Sequence, residues 1–275
     1  MFFILKALVV IVFGYLALMA GMYWGQRKLQ YFPDRNPPGN PADVGLKEMK
    51  SVKVETSDGL ELVAWFAPPK EKTGKIVIVY HGNAGNIANR AIKAAHFMER
   101  GRGVFMCEYR GYGGNPGKPT EEGFYIDARA AIKWLEDQGY TTGQFVIYGE
   151  SIGTGVAVQM ASEIQPRQLI LEAPFSSATD VAKRSYGFIP VDMLILDRFD
   201  SLAKIPKIKT SLFIIHGDED AVIPIDLSKK LFELANHPKE FITIERGGHS
   251  DLYNHHAGHV IGDWLDKQVS AERAA

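Results

Sequence analysis

The chain has 275 residues, 46% of them hydrophobic and 23% charged, with 31 Lys+Arg against 32 Asp+Glu and a formal net charge of -1. That composition excludes intrinsic disorder and a multi-spanning membrane protein, and the near-neutral balance, with no basic cluster, excludes general affinity for nucleic acid. A single cysteine, Cys107, excludes a disulfide framework and a Cys-rich zinc site.

The first predicted element is an apolar helix. Ala7 to Trp24 are eighteen residues without a charge, preceded by Phe2-Phe3-Ile4-Leu5 and Lys6. At 1.5 Å per residue this run is roughly 27 Å long, and with residues 2–6 it can cross a ~30 Å hydrocarbon core. Lys6 can snorkel to one headgroup layer, while Tyr23 and Trp24 fall at the other interface just ahead of Arg27-Lys28. A cleaved signal peptide is the competing reading, but the run is long for its apolar region and no small-x-small site closes it. An N-terminal single-pass anchor over residues 1–28 is therefore expected, which places the protein at a membrane. The amino terminus and Lys6 balance Arg27 and Lys28, so both orientations stay open.

Residues 29–45 hold Pro33, Pro37, Pro38 and Pro41, four of the fourteen prolines, and read as an extended linker. The body is expected over 46–275. Val52–Glu55 and Leu60–Phe66 alternate around Ser57-Asp58-Gly59, a hairpin signal. Next come unalternating apolar runs: Lys75–Tyr80, Val104–Tyr109, Phe145–Tyr148, Leu169–Glu172, Leu212–Ile215 and Phe241–Ile244. Such runs fit strands covered on both faces. Helical periodicity lies between them, most clearly in Asp127–Glu136, where Ile126, Ala130 and Trp134 share a face, and in Leu227–Ala235. The alternation predicts an α/β fold with a mostly parallel, doubly wound sheet, whose ligands sit at the carboxyl ends of the strands.

Several strand ends carry candidate chemistry. Gly149-Glu150-Ser151-Ile152-Gly153 follows a strand and opens a helix, the context a nucleophile-elbow serine requires. A serine hydroxyl needs a histidine base oriented by a carboxylate. Asp218, Glu219 and Asp220, in His216-Gly217-Asp218-Glu219-Asp220-Ala221-Val222-Ile223-Pro224, compete for the acid, and His249 in Gly247-Gly248-His249 follows the last strand. After Tyr80 comes His81-Gly82-Asn83-Ala84-Gly85-Asn86, where the amide of Asn83 is expected to join that of Ile152 in binding an oxyanion. An alternative use of this run is to cap the next helix through Asn86.

HGNAGN, YRGYGGNPGKPTEEGFYIDA, GESIGTG, HGDEDAVIP and GGHSDL, in this order, resemble the alpha/beta-hydrolase family over about residues 50–268, and specifically its small membrane-anchored serine hydrolases related to the bud-emergence proteins. The resemblance implies the alpha/beta-hydrolase fold, the triad Ser151, Asp220 and His249 with Asp220 as the acid, and a small lid insertion over about 176–204. Tyr186, Phe188, Met193 and Leu196 of that insertion are expected to bind the substrate, a small-molecule or lipid-like acyl compound, unless they pack on the core.

The expected activity is hydrolysis of a carboxylic ester or thioester, with no cofactor or metal. A peptidase or amidase, or an inactive membrane-tethered binding protein, is the alternative. His255, His256 and His259 suggest zinc only weakly, since no third carboxylate ligand accompanies them. Gly117-Lys118 is followed by Pro119 where a phosphate loop needs Ser or Thr.

Overall fold

Ile76–Tyr80 is apolar at every position because side chains pointing both ways are buried: Ile76, Ile78 and Tyr80 enter one core, Val77 and Val79 another. The computed structural model describes residues 2–274, and side chains as far as residue 268. Met1 and Ala275, outer bounds of the expected anchor and body, lie outside the described residues. Eight strands make the main sheet: β1 (Lys50–Glu55), β2 (Glu61–Ala67), β3 (Ile76–Tyr80), β4 (Gly103–Cys107), β5 (Phe145–Glu150), β6 (Gln168–Glu172), β7 (Ser211–Gly217) and β8 (Lys239–Ile244). Their order is β1-β2-β4-β3-β5-β6-β7-β8. The β1–β2 and β2–β4 pairs are antiparallel and the others parallel. All eight predicted strands are present.

Helices α3 (Glu121–Asp137), α4 (Ile152–Ile164) and α7 (Ile225–Leu234) cover one face of the sheet, and α2 (Ala91–Glu99) and α8 (Ala257–Ala274) the other. The buried face of α3 is wider than the predicted Ile126, Ala130 and Trp134 stripe: Ala130 is in the core and Trp134 packs against it, but the face centres on Phe124, Ala128, Ala131 and Leu135. The displacement has a cause in Asp127, which is buried and pairs with Arg110 at 2.7 Å, so a charged residue occupies an inward position.

Helix α1 (Phe2–Gln30) is the one helix among the described residues long and apolar enough to span a membrane. The expected anchor boundary at 28 falls inside it. The following segment is extended, but it lies along the body. Tyr31 is buried edge-on against Phe124, Phe32–Pro33 pairs in parallel with Ala84–Gly85, and Gly113 donates to the Asp34 carbonyl at 2.7 Å. Between β6 and β7 the segment expected as the lid forms α5 (Ala178–Ser185) and α6 (Val191–Leu194), and it packs on α1 through Met19, Ile189 and Val191.

Candidate active site

The turn from β5 into α4 places Ser151 at φ 52°, ψ −119°, with its amide donating to Glu172 O at 2.9 Å. The flanking glycines make that turn possible. A Cβ on Gly153 would stand 2.1 Å from Tyr80 O, and one on Gly149 2.6 Å from Gly153 O. Positive φ at a side-chain-bearing residue is unfavourable, and such strain persists only where the surroundings impose it.

The loop after β7 brings Asp220 up, and the loop after β8 brings His249 across. Asp220 Oδ1 accepts from the amides of Val222 and Ile223, both at 2.8 Å, which fixes the carboxylate plane. The two loops touch closely at Gly217, where a Cβ would lie 2.1 Å from Gly247 O. His249 Nε2 is 2.9 Å from Ser151 Oγ, and its Nδ1 is 2.8 Å from Asp220 Oδ2. The Asp220 side chain is fully buried. Burial alone would push its carboxyl pKa up; hydrogen bonds from His216, His249 and the Ile223 amide override that and hold it well below the ordinary carboxylate range. Asp218 instead accepts from the Arg246 amide at 2.7 Å.

Asn83 and Ile152 both stand beside Ser151 on the wall of one cavity. Among the described residues neither backbone N–H has a hydrogen-bond partner. The Asn83 side chain is tied elsewhere: Nδ2 donates to Gln30 O at 2.6 Å, and Oδ1 accepts from the Phe32 amide at 3.1 Å and the Tyr112 hydroxyl at 2.9 Å. Asn86 caps the short helical turn Ile87–Arg90.

The cavity measures about 330 Å³, within the usual range for small-molecule sites. Its wall is apolar, and no Asp, Glu, Lys or Arg lines it among the described residues. The lid supplies Tyr186, Ile189, Leu194 and Ile195, while α1 supplies Met22, Tyr23 and Leu29. Of the predicted substrate residues, Tyr186 alone lines it. Phe188, Met193 and Leu196 stand outside, exposed. In the single turn of α6, Leu194 faces the cavity and Met193, about 100° round the helix, does not. Phe199, also in the lid, is core: it packs against Gly155 and Tyr125.

A buried ionic cluster beneath the serine escaped the sequence reading. Lys93 Nζ lies 2.8 Å from Glu150 and 2.8 Å from Glu172, and Arg90 reaches Glu150 at 3.1 Å. Burial would raise the Glu150 pKa, but the charges of Lys93 and Arg90 override it and hold that carboxyl well below its ordinary range. Burial likewise works against the Lys93 charge, and the two glutamates restore it, leaving its pKa raised. A charged residue inside an otherwise apolar strand, Glu150, was the available signal. His216, fully buried beside Asp220, was the other residue missed.

The family described as "Serine aminopeptidase, S33" matches residues 71–194. An uncharacterised protein of Mycobacterium tuberculosis is 37% identical over 228 residues, covering 82% of this chain and 81% of its own. The human alpha/beta hydrolase domain-containing protein 17B is 32% identical over 218 residues, covering 77% of this chain and 71% of its own. Among solved structures, an esterase of Pyrococcus furiosus superposes with a TM-score of 0.69 at 22% identity, over 86% of this chain and 98% of that one. That likeness is one of fold. With the sheet order and the strand-end loops, these relationships lead to one assignment: the chain belongs to the alpha/beta-hydrolase superfamily and is a hydrolase.

Proposed function

We propose that the protein is a membrane-anchored serine hydrolase that cleaves a carboxylic ester or thioester with an apolar acyl group. The observation that carries this reading is His249, within hydrogen-bond distance of both Asp220 and the Oγ of Ser151, a serine that itself lines an apolar cavity. In this mechanism His249 Nε2 takes the Ser151 proton as Oγ attacks the acyl carbon, and Asp220 holds the imidazole with its proton on Nδ1. The amides of Ile152 and Asn83 receive the oxyanion. His249 then protonates the departing alcohol or thiol, and water, deprotonated by His249, releases the acid from Ser151. A place among the anchored hydrolases related to the bud-emergence proteins, with an anchor over 1–28, a linker over 29–45 and a lid over 176–204 on the body 46–275, is part of the same proposal.

An aminopeptidase is the second reading, favoured by the matched family's description. It requires a carboxylate to hold the substrate ammonium, and the cavity wall has none among the described residues. The test is fluorophosphonate labelling and turnover of the full chain against p-nitrophenyl esters, acyl thioesters and aminoacyl anilides. Ester or thioester turnover with labelling that vanishes in Ser151→Ala is the expected result. Turnover of the anilides alone would overturn the ester reading.

A further inference from the structure

Phe188, Met193 and Leu196 are 63%, 82% and 46% exposed. They form an apolar strip on the outside of the lid, and that lid is fastened along α1. The Tyr15 hydroxyl donates to Phe188 O at 3.0 Å, and Met19 and Met22 pack with Ile189, Val191, Leu194 and Ile195. Further along, Gln26 donates to Leu194 O at 3.1 Å and accepts from the Leu196 amide at 2.8 Å, and Arg27 pairs with Asp197 at 2.8 Å.

These contacts fix the depth of the lid. The part of α1 before Tyr15, residues 2–14, makes roughly 20 Å of helix, well short of a ~30 Å hydrocarbon core. A membrane-spanning α1 must therefore keep about 10 Å of helix beyond the level of Tyr15 inside the hydrocarbon. Phe188, fastened at Tyr15, is inside with it, and Leu196, fastened at Gln26, falls at the headgroup level. Seen from the other end, Tyr15 lies eleven residues, or about 16 Å, below Gln26.

The strip suits that medium. Its turns satisfy their own backbone, with Ile189 donating to Tyr186 O at 3.0 Å, Val191 to Ile189 O at 2.8 Å and Ile195 to Val191 O at 3.0 Å. Asp192 is the one charged residue between 186 and 196, and Lys183 neutralises it at 2.7 Å. Arg184, just before the strip, is likewise paired, with Asp226.

We propose that lid residues 186–196 are embedded in the leaflet that holds the C-terminal half of α1, and that the cavity walled by Met22, Tyr23 and Leu29 draws the acyl chain of its substrate from that leaflet. The second half of this rests on the ester-hydrolase reading; the first does not. The substrate class is thus an acyl ester or thioester resident in a bilayer.

The test uses the full chain in phosphatidylcholine vesicles, with an environment-sensitive fluorophore on Phe188→Cys, Met193→Cys and, as the water-side control, Leu234→Cys. Native Cys107 is buried and burial pushes its thiol pKa up, so it stays unlabelled. Quenching of labels 188 and 193 by doxyl-phosphatidylcholine, with iodide quenching only label 234, is expected. Iodide quenching of all three overturns lid insertion, and protection from both quenchers overturns it in favour of a protein partner. For the cavity, Met22→Trp should lower the ratio of long-chain ester to acetate ester turnover in the vesicle about tenfold or more. An unchanged ratio overturns the leaflet route. Loss of all ester turnover in the unmodified chain would instead overturn the hydrolase reading, and lid insertion would still be judged by the quenching.

Discussion

One carboxylate oxygen, Asp220 Oδ2, is shared by two histidines: His249 Nδ1 at 2.8 Å and His216 Nε2 at 3.1 Å. His216 is fully buried, its Nε2 also 2.9 Å from Ile223 O and its Nδ1 bonded to the Ser228 hydroxyl. In the proposed mechanism it is thereby a positioning residue for the acid. Replacing His216 with Leu should lower kcat/KM ten- to a hundredfold, the scale of one hydrogen bond to a charged group, ~1.5–3 kcal/mol. A merely structural role would leave the pH profile in place. Loss of this donor should instead move the acid limb of kcat/KM to higher pH, because the Asp220 carboxylate is less favoured.

Asp220→Asn should reduce kcat by roughly 10⁴ at neutral pH, since an amide holds the wrong histidine tautomer. Asp218→Asn should cost less than about tenfold, because Asn retains an acceptor for the Arg246 amide. Steady-state kinetics of the two variants with a p-nitrophenyl ester separates them, and the reverse order would remove Asp220 from the triad.

Lys93→Met should destabilise the fold by about 3–5 kcal/mol, the cost of leaving buried charges without their partner. Thermal unfolding reads this as a fall in Tm of around 10 °C. The sign of the pH effect follows from Glu150, whose carboxyl pKa in the folded chain is held well below that of an ordinary glutamate. Its contribution is present in full above that value and is lost as pH falls below it. Without Lys93 the loss should begin at higher pH, visible as an upward shift of the acid-unfolding midpoint.

Leu194→Ala and Ile195→Ala together should reduce the preference for octanoate over acetate esters about tenfold or more, each lost CH₂ contact being worth about 0.8 kcal/mol. Met193→Ala should change that ratio less than about twofold, because its side chain lies outside the cavity. Equal loss on both esters for the inward pair would mean that these residues serve packing.

Carbonate washing should leave the full-length protein in the membrane pellet, and mass spectrometry should find Met1 or Phe2 at its terminus. A mature terminus near residue 21 would establish a signal peptide and remove the contacts of Tyr15 and Met19 with residues 188–191.

The sheet was legible in the sequence because Ile76–Tyr80 or Leu212–Ile215, covered on both sides, can be little but apolar. Ser151, His249 and the Asn83 loop were legible because each sits at a strand end with glycines around it. Choosing Asp220 over Asp218 took the family motif, since spacing alone left three carboxylates. The lid was misread in part: composition marks Phe188, Met193 and Leu196 as apolar but carries no sign of which way a one-turn helix faces. The Lys93, Glu150 and Glu172 cluster was hidden for a different reason. Its members lie 57 and 22 residues apart along the chain, and only the parallel pairing of β5 with β6 brings the two glutamates side by side.

The three bonds of the Asn83 side chain to Gln30, Phe32 and Tyr112 make the end of α1 and the loop beside Ser151 a single piece of structure. Severing the chain after Gln30 would leave the sheet and the serine in place but turn the cavity into a trough open to water along one side. The Asn83 loop would keep its ties to Phe32 and Tyr112 while losing the carbonyl neighbour held by α1. A solubilised fragment of that kind would favour short, water-borne esters. Its substrate profile would describe the trough and not the enzyme in its bilayer.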